Sequence, residues 1–318
     1  MTGIAAIVRK ELADHFSSYR FIILFALIAM VSLITTYMVG TGLREELGGM
    51  ERPRFIFLML FTSTGPLFSL VQFVAFFGPL IGLVLGFDSI NRERSSGTLS
   101  KLASQPIYRD SIINGKFLSG VVTISIMLIS ILLVVSGLGL KVIGVVPGIE
   151  EVWRIFIYLI ISIFYVSFWL GISILFSILF RGIATSALAT LAIWIFFWFF
   201  VSMGASVVAN AVVPGDTSGN PEMLMRKIRV QRAVSLISPM QLYNDSTGTI
   251  IDPMRKTTSS MVLMGPIERL SLSRFKRPLA LSQSIYVVIP HMISLIAITF
   301  ICFGVSYAVF MRQEIRSI

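Results

Sequence analysis

Side chains able to do bond-making chemistry are scarce in this chain. It holds two histidines, His15 and His291, and one cysteine, Cys302. Imidazole and thiolate are the usual metal ligands and nucleophiles. Three such groups scattered over 318 residues offer no ligand spacing and no nucleophile–base pair. A lone cysteine excludes an internal disulfide. No G-x-x-x-x-G-K-[ST] loop is present to hold a nucleotide's phosphates, and neither H-E-x-x-H nor G-x-S-x-G occurs. The residues read as those of a chain that neither holds ATP nor forms a covalent intermediate. Any work it does draws energy from a partner.

Two short stretches combine acidic and basic side chains instead. One is N-terminal, Arg9-Lys10-Glu11 with Asp14. The other runs from Asp88 to Asp110 and contains Arg92, Glu93, Arg94, Lys101 and Arg109, followed by Lys116. The elements that position them are apolar. The chain is 55% hydrophobic and 13% charged, with mean hydropathy +0.87, whereas soluble domains carry about 25% charged residues. That excludes a disordered chain, a secreted disulfide scaffold and a soluble enzyme. The net charge of +10 does not point to nucleic acid, because Lys and Arg gather at lipid headgroups.

A membrane span needs about 20 apolar residues. Six runs qualify: Phe21–Val39, Pro66–Phe87 with a kink at Pro79, Ile112–Leu140, Ile155–Phe180, Ile183–Val213 and Ile285–Phe310. The shorter run Phe55–Phe61 reads equally as a re-entrant stretch or as an N-terminal extension of span two. With the N-terminus inside, the inner segments hold eleven Lys and Arg and the short outer loops five, which favours N-in and C-in. Residues 210–284 add ten basic residues, in a loop too long to govern orientation. No Asp, Glu, Lys or Arg falls in the middle of a span, which argues against an ion-coupled carrier. Gln72 and His291 are the notable large polar groups there, with interhelical hydrogen bonding as the expected role of His291.

The expected fold is therefore an all-α membrane protein, a single unit over residues 1–318. It has six transmembrane helices, a helix in the inner interface over 1–20, a cytosolic segment over 88–111 and an extracytoplasmic loop over 210–284. Ile4, Val8, Leu12 and Phe16 form an apolar stripe suited to the interface. In the segment between spans two and three, Gly97 breaks or caps the helix that extends span two. Thr98 can cap a short helix Leu99–Ser104, which Pro106 ends. Leu99 and Leu102 share a face of that helix, an apolar patch of a kind that docks a partner.

This segment, Glu93-Arg94-Ser-Ser-Gly97-Thr98-Leu99-Ser-Lys-Leu102-Ala-Ser-Gln105-Pro106-Ile107-Tyr-Arg109 with Gly115-Lys116, resembles the cytoplasmic motif of ABC-2 type transporter permeases. Lys10-Glu11-Leu12 resembles that family's opening, and Ser238-Pro239-Met240-Gln241-Leu242-Tyr243 a recurrent later segment. The nearest flavour is the branch with the nitrous-oxide-reductase maturation permease and bacitracin-type exporters; the long, basic last outer loop departs from it. The resemblance implies a plasma-membrane permease subunit that exports a substrate and is not itself an enzyme. It implies two such units, identical or paralogous, with two copies of a separate ATP-binding subunit that holds ATP and Mg. Lys10, Glu11, Glu93, Arg94, Gly97, Thr98, Leu99, Leu102, Gln105, Pro106 and Arg109 would meet that subunit, with the helix around Thr98–Gln105 as the coupling helix. Lipid is a further partner and nucleic acid is not. Two other readings stay open: mechanical transmission to an extracytoplasmic protein without solute transport, and a standalone channel or secondary transporter. No residue pattern names the substrate.

Overall fold

Hydrocarbon offers no partners for backbone N–H and C=O, so a spanning segment must close its hydrogen bonds within a helix or a closed barrel. The computed structural model describes residues 3–46, 55–62, 69–98, 108–214, 221–254 and 278–313, and every regular element among them is helical. In chain order these are α1 (Gly3–Ser17), α2 (Tyr19–Glu46), α3 (Ile56–Thr62), α4 (Leu70–Gly86), α5 (Asn91–Ser95), α6 (Arg109–Ile143), α7 (Ile149–Leu179) and α8 (Ile183–Ile195). A π-turn (Phe196–Phe200) leads into α9 (Val201–Val212), followed by α10 (Pro221–Ser235), α11 (Pro239–Ile251) and α12 (Leu281–Arg312). Six helical stretches, at α2, α4–α5, α6, α7, α8 with its π-turn, and α12, are long and apolar enough to cross a membrane.

Helix α7 is the axis of the bundle and packs against α4, α6, α8, α11 and α12. Its tightest neighbour is α4, through Gly78, Gly82 and Gly86. A Cβ on Gly82 would stand 2.7 Å from the backbone nitrogen of Leu170, so only glycine allows this approach. Small residues four apart are how helices pack closely in lipid. Pro79 of α4 has no N–H, which leaves the carbonyl of Ala75 without its helical partner. The Tyr165 hydroxyl of α7 donates to that carbonyl at 2.7 Å, so the proline defect is repaired by the neighbouring helix.

Three features differ from the sequence expectation. Span two starts at Leu70, because Ser69 Oγ accepts from Gln72 N and the Gln72 side chain accepts from Ser69 N. Gln72 is thus a capping residue and not a polar group in mid-span. The run Phe55–Phe61 forms the separate helix α3, with Phe57, Leu58, Leu60 and Phe61 buried; it precedes the capped start of α4 and packs on α2, α4, α7 and α11. Finally, residues 210–284 are not an open loop where they are described. Helix α10 packs along α9, and α11 packs against α4, α7 and α12. Tyr243 of α11 stacks on Tyr165 at a centroid distance of 4.4 Å. Asp245, on the same helix, is 1% exposed, so a carboxylate does enter the bundle, carried by an element that is not a span.

Candidate functional site

Helix α1 lies against α6 at the end of the bundle that also holds the end of α12. Its buried residues are Ile7 and Glu11. Ile4, Val8 and Leu12 of the stripe expected in the membrane interface are half-buried and Phe16 is 41% exposed, while Ile7 and Glu11 make the contact with α6. The reason is on α6. Gly115 leaves room for Ile7, whose Cγ2 would be 2.7 Å from a Cβ there. The next residue, Lys116, is 4% exposed. Its Nζ donates to Glu11 Oε1 at 2.9 Å and to Glu93 Oε1 at 3.1 Å. Lys10 Nζ donates to the same Glu93 oxygen at 2.9 Å and lies 3.4 Å from Glu11 Oε1. A buried ammonium without a carboxylate is costly, so this charge match fixes which face of α1 meets α6.

Two cations and two anions from α1, α5 and α6 thus close one lock. Burial disfavours the charged form of Lys10, but the hydrogen bond and charge of Glu93, with Glu11 and Asp14, outweigh it and raise its pKa. Burial likewise opposes the Glu11 carboxylate, yet Lys116 holds its pKa below the usual carboxylate range. Burial lowers the pKa of His15 on the same helix. Beside the lock opens a polar cavity of about 460 Å³ between α1, the start of α2, α5 and α6. Across it Arg20 Nη1 meets Asp88 Oδ2 at 3.0 Å.

The stretch from α4 into α5 bends at residues 87–90, where the backbone N–H groups of Ile90 and Asn91 donate to Ser177 Oγ of α7 at 3.0 and 3.1 Å. Gly97 closes α5 with φ +68°, a conformation that suits glycine. Thr98 donates to the Glu93 carbonyl at 3.3 Å. Leu99, Leu102, Gln105 and Pro106 lie outside the described residues. The two arginines flanking them converge on the end of α12. Arg94 Nη2 donates to Gln313 Oε1 at 2.8 Å, Arg109 Nη1 donates to the Gln313 carbonyl at 3.3 Å, and Gln313 Nε2 donates to the Ile178 carbonyl of α7 at 2.9 Å.

Of the eleven expected contact residues, the structure brings Lys10, Glu11 and Glu93 into the lock and Arg94 and Arg109 onto Gln313, with Gly97 and Thr98 between. Lys116 proves central to this arrangement; its place as the fifth residue of the run Ile112–Leu140, directly after Gly115, was the available signal. Gln313 and Ser177 carried no signal that a single sequence exposes. Among the described residues no three His, Cys, Asp or Glu side chains gather as a metal would require.

The opposite end of the bundle has its own buried charge. Arg154 of α7 is 0% exposed. It donates to the carbonyls of Ile250 and Leu279 at 2.8 and 2.7 Å, to Ser284 Oγ at 3.2 Å and to Glu150 Oε1 at 3.0 Å. Its guanidinium also lies 5.6 Å from the Phe55 ring centroid. It clamps the end of α11 to the start of α12.

Six apolar helices, an N-terminal helix docked beside them and a charged excursion after the second span describe a multi-pass membrane protein. The chain belongs to the ABC-2 family transporter proteins, whose pattern it matches over residues 5–315. It is 28% identical over 151 residues to the probable ABC transporter permease protein NosY of Pseudomonas aeruginosa, an alignment covering 47% of this chain and 49% of that one. It is 31% identical over 117 residues to the protein of the same description from Stutzerimonas stutzeri, covering 37% and 38%. The chain thus spans about half the length, or less, of the curated relatives it matches.

Proposed function

We propose that this chain is the permease subunit of an ATP-driven exporter of the plasma membrane, paired with a second copy and served by two copies of a separate ATPase that holds ATP and Mg. The observation that carries the reading is the double anchoring of the segment between α5 and α6. On one side Glu93 joins it to α1 and α6 through Lys10, Glu11 and Lys116. On the other, Arg94 and Arg109 join it to α12 through Gln313. A force applied at residues 95–108 from the cytosol therefore reaches three helices at once, as coupling to an external motor requires. Leu99, Leu102, Gln105 and Pro106 supply the docking face and move no atoms chemically. Membership in a family whose named relatives here are ABC transporter permeases supports the same reading.

The test is affinity purification of the chain from membranes in mild detergent, with ATPase activity assayed on the eluate. The expected result is a co-purifying ATP-binding protein that is lost on Leu102→Asp. A protein that emerges alone and without ATPase activity, under conditions that preserve other membrane complexes, would overturn the proposal and favour a standalone channel or carrier.

A further inference from the structure

The half of the bundle remote from α1 holds a polar line opposite an aromatic wall. Ser235, Ser238, Gln241 and Asn244 recur every third residue, from the end of α10 into α11. Across a cavity of about 220 Å³ they face Phe197 and Trp198 of the π-turn and Val201 of α9. The depth of this cavity follows from two helices that meet at the short turn 180–182. Ser238 Oγ lies 3.5 Å from the Phe197 carbonyl, and Phe197 is fourteen residues from Ile183, about 21 Å at 1.5 Å per residue. Tyr243 stacks on Tyr165, itself fourteen residues from Leu179, again about 21 Å. The hydrocarbon slab is about 30 Å thick, so the line lies inside it, in the half away from α1.

Carboxamides are out of place there unless something binds them. Gln241 Nε2 donates to Asp245 Oδ1 at 3.0 Å, which orients the amide, while its carbonyl oxygen accepts no hydrogen bond among the described residues. The Asn244 side chain makes none among the described residues. Lipid tails cannot supply partners. Intramembrane polar groups mark solute pathways, and π-turns recur at functional positions. We infer that this cavity is a stretch of hydrated passage that takes an amphipathic solute, with neutral amide or hydroxyl groups on the Ser238–Gln241–Asn244 side and an apolar face against Phe197 and Trp198. The inference rests on the transporter reading above and adds to it the chemical class of what passes.

The test uses thiol labelling in native membrane vesicles, in a Cys302→Ser background. Ser238→Cys, Gln241→Cys and Asn244→Cys are compared with Phe199→Cys, a ring 48% exposed on the same π-turn. The probes are a methanethiosulfonate bearing a trimethylammonium group and the benzyl reagent, which is apolar. The passage predicts that positions 241 and 244 react with both, and with the charged reagent about tenfold or more faster than position 199, because only a hydrated thiol ionises readily. Position 199 reacts with the benzyl reagent alone. Ser238→Cys, the smallest change, guards against misfolding. Charged-reagent rates no faster than at position 199 would overturn the inference. So would ready oxidative cross-linking of two copies through Asn244→Cys with exclusion of reagent, since a second copy would then be the missing partner. Labelling needs no nucleotide and co-purification needs no label, so either proposal can fail alone.

Discussion

The two ends of the bundle each bury a cation, and they satisfy it in opposite ways. At the α1 end Lys116 is held by the carboxylates of Glu11 and Glu93. At the far end Arg154 is held mainly by backbone carbonyls and a hydroxyl, with one carboxylate, Glu150, that is 30% exposed. Carboxylates titrate and can exchange partners; carbonyls do neither. The planar, five-donor guanidinium suits fixed carbonyls, while the point charge of an ammonium suits a shared carboxylate. The α1 end is thus built from contacts that can be broken and remade, and the far end from contacts that hold α11 and α12 in one place. That division fits a motor acting on one side and a scaffold on the other.

The comparison is broken most severely at Lys116. Lys116→Met leaves Glu11 and Glu93 sharing only the half-exposed Lys10, and thermal unfolding in detergent should show a loss of about 3–5 kcal/mol. Adding Glu11→Gln and Glu93→Gln should restore most of it, because the penalty is uncompensated charge. Absence of such rescue would mean that Lys116 acts by packing. Arg154→Met comes next. It strands the carbonyls of Ile250 and Leu279, at about 1–3 kcal/mol for each buried unsatisfied group. Here Glu150→Gln should give no rescue, and proteolysis should open the α11–α12 junction first.

Acid sharpens the contrast. The folded pKa of Glu11 is depressed below its ordinary 4.5, so its stabilisation is complete above that value and is lost as pH falls through the depressed one. His15, lowered by burial from 6.5, acts in the same direction, since the unfolded chain takes up a proton as pH falls through that value. Protease cleavage within α1 should therefore rise steadily from pH 7 to acid, and Glu11→Gln should flatten the lower part of the curve. Cleavage at the α11–α12 junction should not follow. The smallest effect is expected at Lys10, whose side chain is 49% exposed. Lys10→Ala should cost about 0.2–1 kcal/mol, and less at high salt.

Much of the architecture was legible beforehand. The six spans follow from the bilayer's demand for about 20 apolar residues apiece, and the charged segment after span two stood out by composition. Gly97 announced its role because few residues other than glycine accept φ +68° cheaply. The spacing of Gly78, Gly82 and Gly86 was a visible signal for close packing, though not for which helix packs there. Helix α11 was hidden because Asn244, Asp245, Ser246 and Thr247 read as a solvated loop. Its burial depends on hydroxyls and rings of another helix, such as Ser162 Oγ, 2.9 Å from Tyr243 Oη.

What the sequence determined alone is the solvent and its consequences: lipid around six predominantly apolar helices, with most of their charge near the ends. Those properties are local, set by side-chain transfer energies summed over short windows. What only the tertiary structure decided is which charges meet. Lys116 lies 105 residues from Glu11 and 23 from Glu93, and Arg94 lies 219 from Gln313. Ion pairs and hydrogen bonds act within a few ångströms, so their partners are fixed by helix packing, and no period along the chain encodes them.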